Sequence, residues 1–162
     1  MKIIFLDIDG VLNTGCNRIK LKEINKGIDD WNYNNIFCRE SMKNLKEIVD
    51  KTNAKIVLST TRRFADSLLN PLEIQFMEFG LWNDLIGKTP KLSENFSNGK
   101  EKELEINKYV TDNNIESYII LDDDSSLFNS NNINFVQVPW MEGITEEIKN
   151  KVIADLMKIN GG

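Results

Sequence analysis

The chain has 162 residues, 41% hydrophobic and 28% charged, which suits one ordinary globular domain and excludes a disordered or fibrous protein. Twenty Lys and Arg against twenty-five Asp and Glu leave a formal charge of -5. That balance disfavours loose binding to nucleic acid through clustered cations, yet leaves room for a phosphorylated substrate held by a few placed cations and a metal. There is no histidine, so Ser-His-Asp and Cys-His nucleophile pairs and His-ligated zinc are excluded. Acid–base chemistry therefore falls to carboxylates, Lys, Tyr or Cys.

The elements alternate strand and helix. Residues 2–6 are a short apolar run that stops at Asp7, the pattern of a buried strand. Residues 14–37 are polar and Asn-rich with Trp31, Tyr33 and Phe37 embedded, and read as a small insertion or flap, or else a plain surface loop. Met42, Leu45, Ile48 and Val49 stand at helical spacing within 39–52. A second buried strand, Lys55 to Leu58, ends in Ser59, Thr60 and Thr61. The spacing then predicts a helix from about Phe64 to Phe79, interrupted near Pro71 and closed by Gly80. A brief strand over 84–87 and a loop over 88–99 follow. A helix over 100–110 leads into the third strong strand, Tyr118 to Leu121, ended by Asp122, Asp123 and Asp124. Residues 134–138 give a weaker strand, and Thr145 caps a last helix that runs to about Ile159.

Apolar strands separated by helices predict an α/β fold, a three-layer α/β/α sandwich on a mainly parallel sheet. With no repeat and no linker, 1–162 reads as one domain. The opening residues turn acidic too early for a signal peptide, and no apolar run approaches the ~20 residues of a membrane span. Cys16 and Cys38 form no CxxC and suit a reducing compartment. The expectation is a cytoplasmic protein with no membrane partner.

In an open parallel sheet, ligands bind at the carboxyl ends of the strands. Asp7-Ile8-Asp9-Gly10, Ser59-Thr60-Thr61 and Asp122-Asp123-Asp124 would thus converge on one crevice. Carboxylates gathered there repel one another unless a cation is present, and oxygen-only ligands favour Mg2+ before Ca2+ or Mn2+.

These residues carry a resemblance. Asp7-Ile8-Asp9-Gly10-Val11-Leu12 resembles the first motif of the haloacid dehalogenase (HAD) superfamily, Ser59 its second, and Asp122-Asp123 its acidic fourth, with a lysine before that strand as the third. Val57-Leu58-Ser59-Thr60-Thr61-Arg62-Arg63 is similar to the VLSSSWR signature of the small HAD domains of Swiss army knife RNA-repair proteins. Gly80-Leu81, Ile86 to Pro90 and Gly143-Ile144-Thr145 also fit that pattern.

The resemblance implies a phosphomonoester phosphatase with a minimal cap, using Mg2+ and an aspartyl-phosphate. Asp7 would be the nucleophile and Asp9 the general acid and base, its pKa raised by neighbouring carboxylates. Gly10 would turn the backbone amides toward the phosphate, and Ser59, with Thr60, would bind it. Asp7, the Asp9 carbonyl and Asp122 would hold the metal, with Asp123 ligating directly or through water. Lys102, four residues before Ile106, is the candidate motif lysine, with Lys100 as the alternative. Arg63 matches the signature's Arg and is a candidate phosphate clamp or a salt bridge to a helix. Arg62 stands where the signature has Trp. Asn13 orients or caps the first loop, Asp124 lies outside the metal's direct contacts, and Trp31, Trp82 and Trp140 read as packing residues ahead of base-stacking ones.

The implied substrate is phosphorylated, with nucleotide or nucleic-acid end phosphates ahead of a small metabolite, because no full cap domain fits between Asp9 and Ser59. The rivals are a HAD-fold phosphate-binding or interaction module without turnover, and a response-regulator receiver. Motif order counts against the receiver, whose phosphorylated Asp ends the third strand.

Overall fold

The computed structural model describes residues 1–24, 35–92 and 101–158. Trp31, Tyr33, Lys100 and most of the 88–99 loop lie outside them. Five parallel strands, β1 (Lys2–Leu6), β2 (Lys55–Leu58), β3 (Leu85–Lys88), β4 (Ser117–Asp122) and β5 (Phe135–Gln137), form one sheet in the order β3-β2-β1-β4-β5. The order reverses beside β1, so the crevice past the carboxyl ends of β1 and β4 is the topological switch point.

The side chains of β1 alternate between two cores. Ile4 and Leu6 face one that holds Met42, Leu45 and Ile48 of α2 (Arg39–Thr52), Leu72 and Phe76 of α3 (Asp66–Glu78), and Val152 and Leu156 of α5 (Glu146–Lys158). Ile3 and Phe5 face the other, with Ile106 of α4 (Glu101–Asp112), Val57, Ile120 and Phe128. All the strand residues named here are buried, and the sheet is covered on both faces as a parallel sheet requires. The architecture is the expected α/β/α sandwich.

Several boundaries move. Helix α1 (Gly15–Ile24) occupies the front of the polar segment 14–37. The predicted 64–79 helix is a 3-10 turn over Thr61–Phe64 followed by α3, and Pro71 lies inside α3 instead of breaking it. A proline there forfeits the hydrogen bond to the Ser67 carbonyl, and burial of Leu72 and Phe76 on the same helix outweighs the loss. At α5 the Thr145 hydroxyl accepts from the Ile148 amide at 3.3 Å, the cap that the sequence predicts. Among the described residues, no helix is long and apolar enough to cross a membrane.

Candidate active site

Asp7 is the first residue past β1, and its amide donates to the Leu121 carbonyl of β4 at 3.0 Å. The chain then folds into a tight loop in which the Ile8 carbonyl accepts from the amides of Val11, Leu12 and Asn13. Gly10 makes the loop possible with φ +79°. A Cβ on it would sit 2.4 Å from Asp123 Cγ, so the loop lies directly against the carboxylate after β4. Across β1, the Ser59 amide donates to the Leu6 carbonyl at 2.9 Å, which sets Ser59 beside Asp7.

Lys102, in the first turn of α4, reaches over the strand ends. Its Nζ lies 3.0 Å from Asp7 Oδ1 and also donates to Asp122 Oδ2. Asp7, Asp122 and Asp123 each offer an oxygen within 4.8 Å of the others. Burial pushes Asp122 up to about 6 and the Asp7 charge adds to the rise, while the Lys102 ammonium opposes it. Burial and Asp7 likewise raise Asp123. Burial alone would lower Lys102, but Asp7 and Asp122 overcome it and hold the ammonium protonated above its ordinary value. Three hard oxygen donors whose charges are strained by proximity fit a divalent cation.

Asp9 points elsewhere. Its carboxylate is gripped by Arg62, with Nε 2.8 Å from Oδ2 and Nη2 on Oδ1, and by Asn13 Nδ2 at 3.0 Å. Burial would raise its pKa, yet these hydrogen bonds and the charges of Arg62 and Arg18 bring it below the ordinary value. The raised pKa expected for an acid catalyst is not what this arrangement produces, because Arg62 and not another carboxylate is its partner.

Ser59 is fully buried and its hydroxyl has no hydrogen-bond partner among the described residues. The Thr60 hydroxyl is turned to local structure, where it accepts from the Arg62 amide at 3.3 Å and caps the 3-10 turn. Arg63 is 2% exposed and turns inward. Its Nε donates to the Thr89 carbonyl, Nη1 to the carbonyls of Ser59 and Thr60, and Nη2 to the Pro90 carbonyl and the Glu105 carboxylate. All five donors are committed to the protein, which corrects the expectation of a phosphate clamp at Arg63 in favour of its salt-bridge alternative. Neighbours on a 3-10 turn diverge by about 120°, so one arginine reaches the site and the other the interior. Asp124 is exposed and caps the turn Ser125–Leu127 through Ser126.

Asp7, Asp9, Gly10, Lys102, Asp122 and Asp123 line one cavity of about 410 Å³. Lys102 joins the acidic cluster, whereas Ser59, Thr60 and Arg63 do not line the cavity, Ser59 lying fully buried beneath the strand ends. A family model described as the HAD domain in Swiss Army Knife RNA repair proteins matches residues 3–148. The chain belongs to this family. The match runs from β1 into the start of α5 and includes every residue of the site. No curated protein and no solved structure matches the chain. As a HAD domain it is placed among phosphatase-like hydrolases, with an aspartate cluster compatible with that chemistry. Arg62 is its main departure from the signature, and its grip on Asp9 was not visible from the spacing.

Proposed function

We propose that this HAD domain is a Mg2+-dependent phosphomonoester phosphatase that works through an aspartyl-phosphate on Asp7. The observation that carries this reading is Lys102 bridging Asp7 and Asp122 with Asp123 alongside, next to the unpartnered Ser59 hydroxyl. Asp7, Asp122, Asp123 and the Asp9 carbonyl would hold the ion, whose contribution is to offset charge on the transferring phosphoryl group.

Asp7 attacks phosphorus through a carboxylate oxygen while the bond to the leaving oxygen breaks. Lys102, 3.0 Å away, orients that carboxylate. Ser59 donates to a phosphoryl oxygen, and the amides around Gly10 face the same group. Asp9 delivers a proton to the leaving oxygen. In the second half it accepts one from the water that cleaves the acyl phosphate, returning Asp7 and releasing inorganic phosphate. For the first of these steps Arg62 must release Asp9, since the ion pair holds it unprotonated. Phosphate at a nucleotide or nucleic-acid end is the substrate favoured here, since the family description names RNA repair. The Asp9–Arg62 pair favours one rival, a phosphate-binding module without turnover.

Phosphate release from an aryl phosphate, with and without Mg2+, separates them for wild type and Asp7→Asn. Mg2+-dependent release reduced at least about a thousandfold in the variant is the expected result. Undiminished release by folded Asp7→Asn would refute the covalent mechanism, and no release by wild type would leave the binding module.

A further inference from the structure

The cavity over Asp7 does not close at its rim. It continues into a second lobe of about 200 Å³, and the two share Gly15, Arg18 and Trp140. The second lobe adds Ile19 and Lys22. Gly15, Arg18, Ile19 and Lys22 fall at i, i+3, i+4 and i+7 along α1, so one helix face lines it.

Trp140 is not the packing residue that its type suggests. It is 58% exposed, although its backbone is fixed: the Gly15 amide donates to the Trp140 carbonyl at 3.0 Å, and the Cys16 amide to that of Met141 at 2.9 Å. The indole lies so close to α1 that a Cβ on residue 15 would come within 2.6 Å of Cζ3. A large aromatic is thus held in place while more than half of it faces solvent. Beside it are Ile19, 49% exposed, and two cations one helical turn apart.

We infer that this lobe is a nucleotide subsite: Trp140 stacks the base next to the phosphate at Asp7, and Arg18 with Lys22 holds the following backbone phosphate. The inference rests on the phosphatase reading for what occupies Asp7. A π-face next to paired cations is the combination that binds single-stranded nucleic acid without reading its sequence. A small metabolite phosphate would leave the lobe empty. Asp123 and Asp124 line the first lobe and not the second, which leaves the α1 side as the approach for a polyanion.

The test compares 5′- and 3′-phosphorylated tetranucleotides with an aryl phosphate, for wild type, Trp140→Ala, Lys22→Gln and, as a control distant from the lobe, Trp82→Ala. The readout is the ratio of kcat/KM on the better tetranucleotide to that on the aryl phosphate. It should fall about fivefold to a hundredfold in Trp140→Ala, stay within twofold in Trp82→Ala, and fall less in Lys22→Gln. Lys22→Gln should also make tetranucleotide binding less salt-dependent. An unchanged ratio in folded Trp140→Ala overturns the subsite. So does a sugar phosphate or phosphopeptide that outperforms both tetranucleotides and depends on Trp140. Binding of the same tetranucleotides to Asp7→Asn, followed by indole fluorescence, separates the two claims. If no substrate is hydrolysed but binding still depends on Trp140, the hydrolase reading fails and the subsite stands. Binding indifferent to Trp140 removes the subsite whatever the turnover.

Discussion

Replacing Arg63 by Ala tests whether it is a structural clamp or a substrate ligand. The side chain joins the carbonyls after β2, at Ser59 and Thr60, to those after β3, at Thr89 and Pro90, and to Glu105 on α4. Both charged partners are buried, Arg63 at 2% and Glu105 at 5% exposure. Removing the guanidinium leaves the buried Glu105 carboxylate with, among the described residues, the Leu92 amide at 3.2 Å as its remaining hydrogen-bond donor. Breaking one side of such a pair costs about 3–5 kcal/mol, and the orphaned carbonyls add to it. For a chain of this size that is about 6–20 °C in the thermal midpoint. Pairing Arg63→Met with Glu105→Leu removes the stranded charge but not the orphaned carbonyls, so the double variant should recover part of the loss. Thermal unfolding by circular dichroism, with KM for an aryl phosphate measured below the transition, decides the matter. A midpoint within about 2 °C of wild type together with a tenfold rise in KM would return Arg63 to the phosphate and refute the clamp.

Other predictions concern the carboxylates and their loop. In metal-free protein, Asp122 has its pKa raised from 3.8 to about 6 on folding. Its folded state therefore binds the proton more tightly, and the stability it contributes falls as pH rises between those values, by up to about 3 kcal/mol. Urea unfolding should show that loss in wild type and not in Asp122→Asn, and millimolar Mg2+ should reduce it; identical pH profiles would remove the cause assigned here. Gly10→Ala must strain a φ of +79° and push aside Asp123, whose Cγ would lie 2.4 Å from the new Cβ. Mg2+ affinity by calorimetry should drop about tenfold or more, and an unaltered affinity would separate Asp123 from the metal. Asp9→Asn should slow alkyl phosphates more than aryl ones, because poor leaving groups need the proton; equal losses would deny Asp9 the acid role.

The acidic core of the site was legible because parallel-sheet topology does the assembly. Once Leu6 and Leu121 pair on neighbouring strands, Asp7 and Asp122 must meet, and no tertiary knowledge is needed. Lys102 followed from its position four residues before the buried Ile106. The arginines were not legible. Which of Arg62 and Arg63 turns inward depends on a one-turn 3-10 segment, and the inward one is explained only by partners at Thr89, Pro90 and Glu105 far along the chain. Motif pieces that looked separate, the Arg of the strand-two signature and the Thr-Pro after β3, thus prove to be one hydrogen-bonded unit. Helix α1 was missed because a polar segment with exposed Ile19 and Ile24 carries little apolar periodicity. The exposure of Trp140 was not legible because the indole lies against Gly15, which has no side chain to show in a pattern.

The charge balance of the site argues for a dication more strongly than the donor types do. Asp7, Asp122 and Asp123 bring three negative charges together, and Lys102 returns one positive. Of the nearby arginines, Arg62 is occupied on Asp9, where the Arg18 charge also acts, and Arg63 on Glu105. Two negative charges remain uncompensated in a largely buried cluster, which adds to the burial that makes Asp122 and Asp123 hold protons more tightly than free carboxylates. One divalent ion cancels that excess, whereas a monovalent ion leaves half of it. Under the proposed function, an arriving phosphomonoester would then meet a neutral floor, the Ser59 hydroxyl and the Gly10 loop, and its own charge would compete with Asp9 for Arg62. Substrate entry would in this way loosen the ion pair that keeps Asp9 from taking up its proton, coupling occupancy of the site to readiness for acid catalysis.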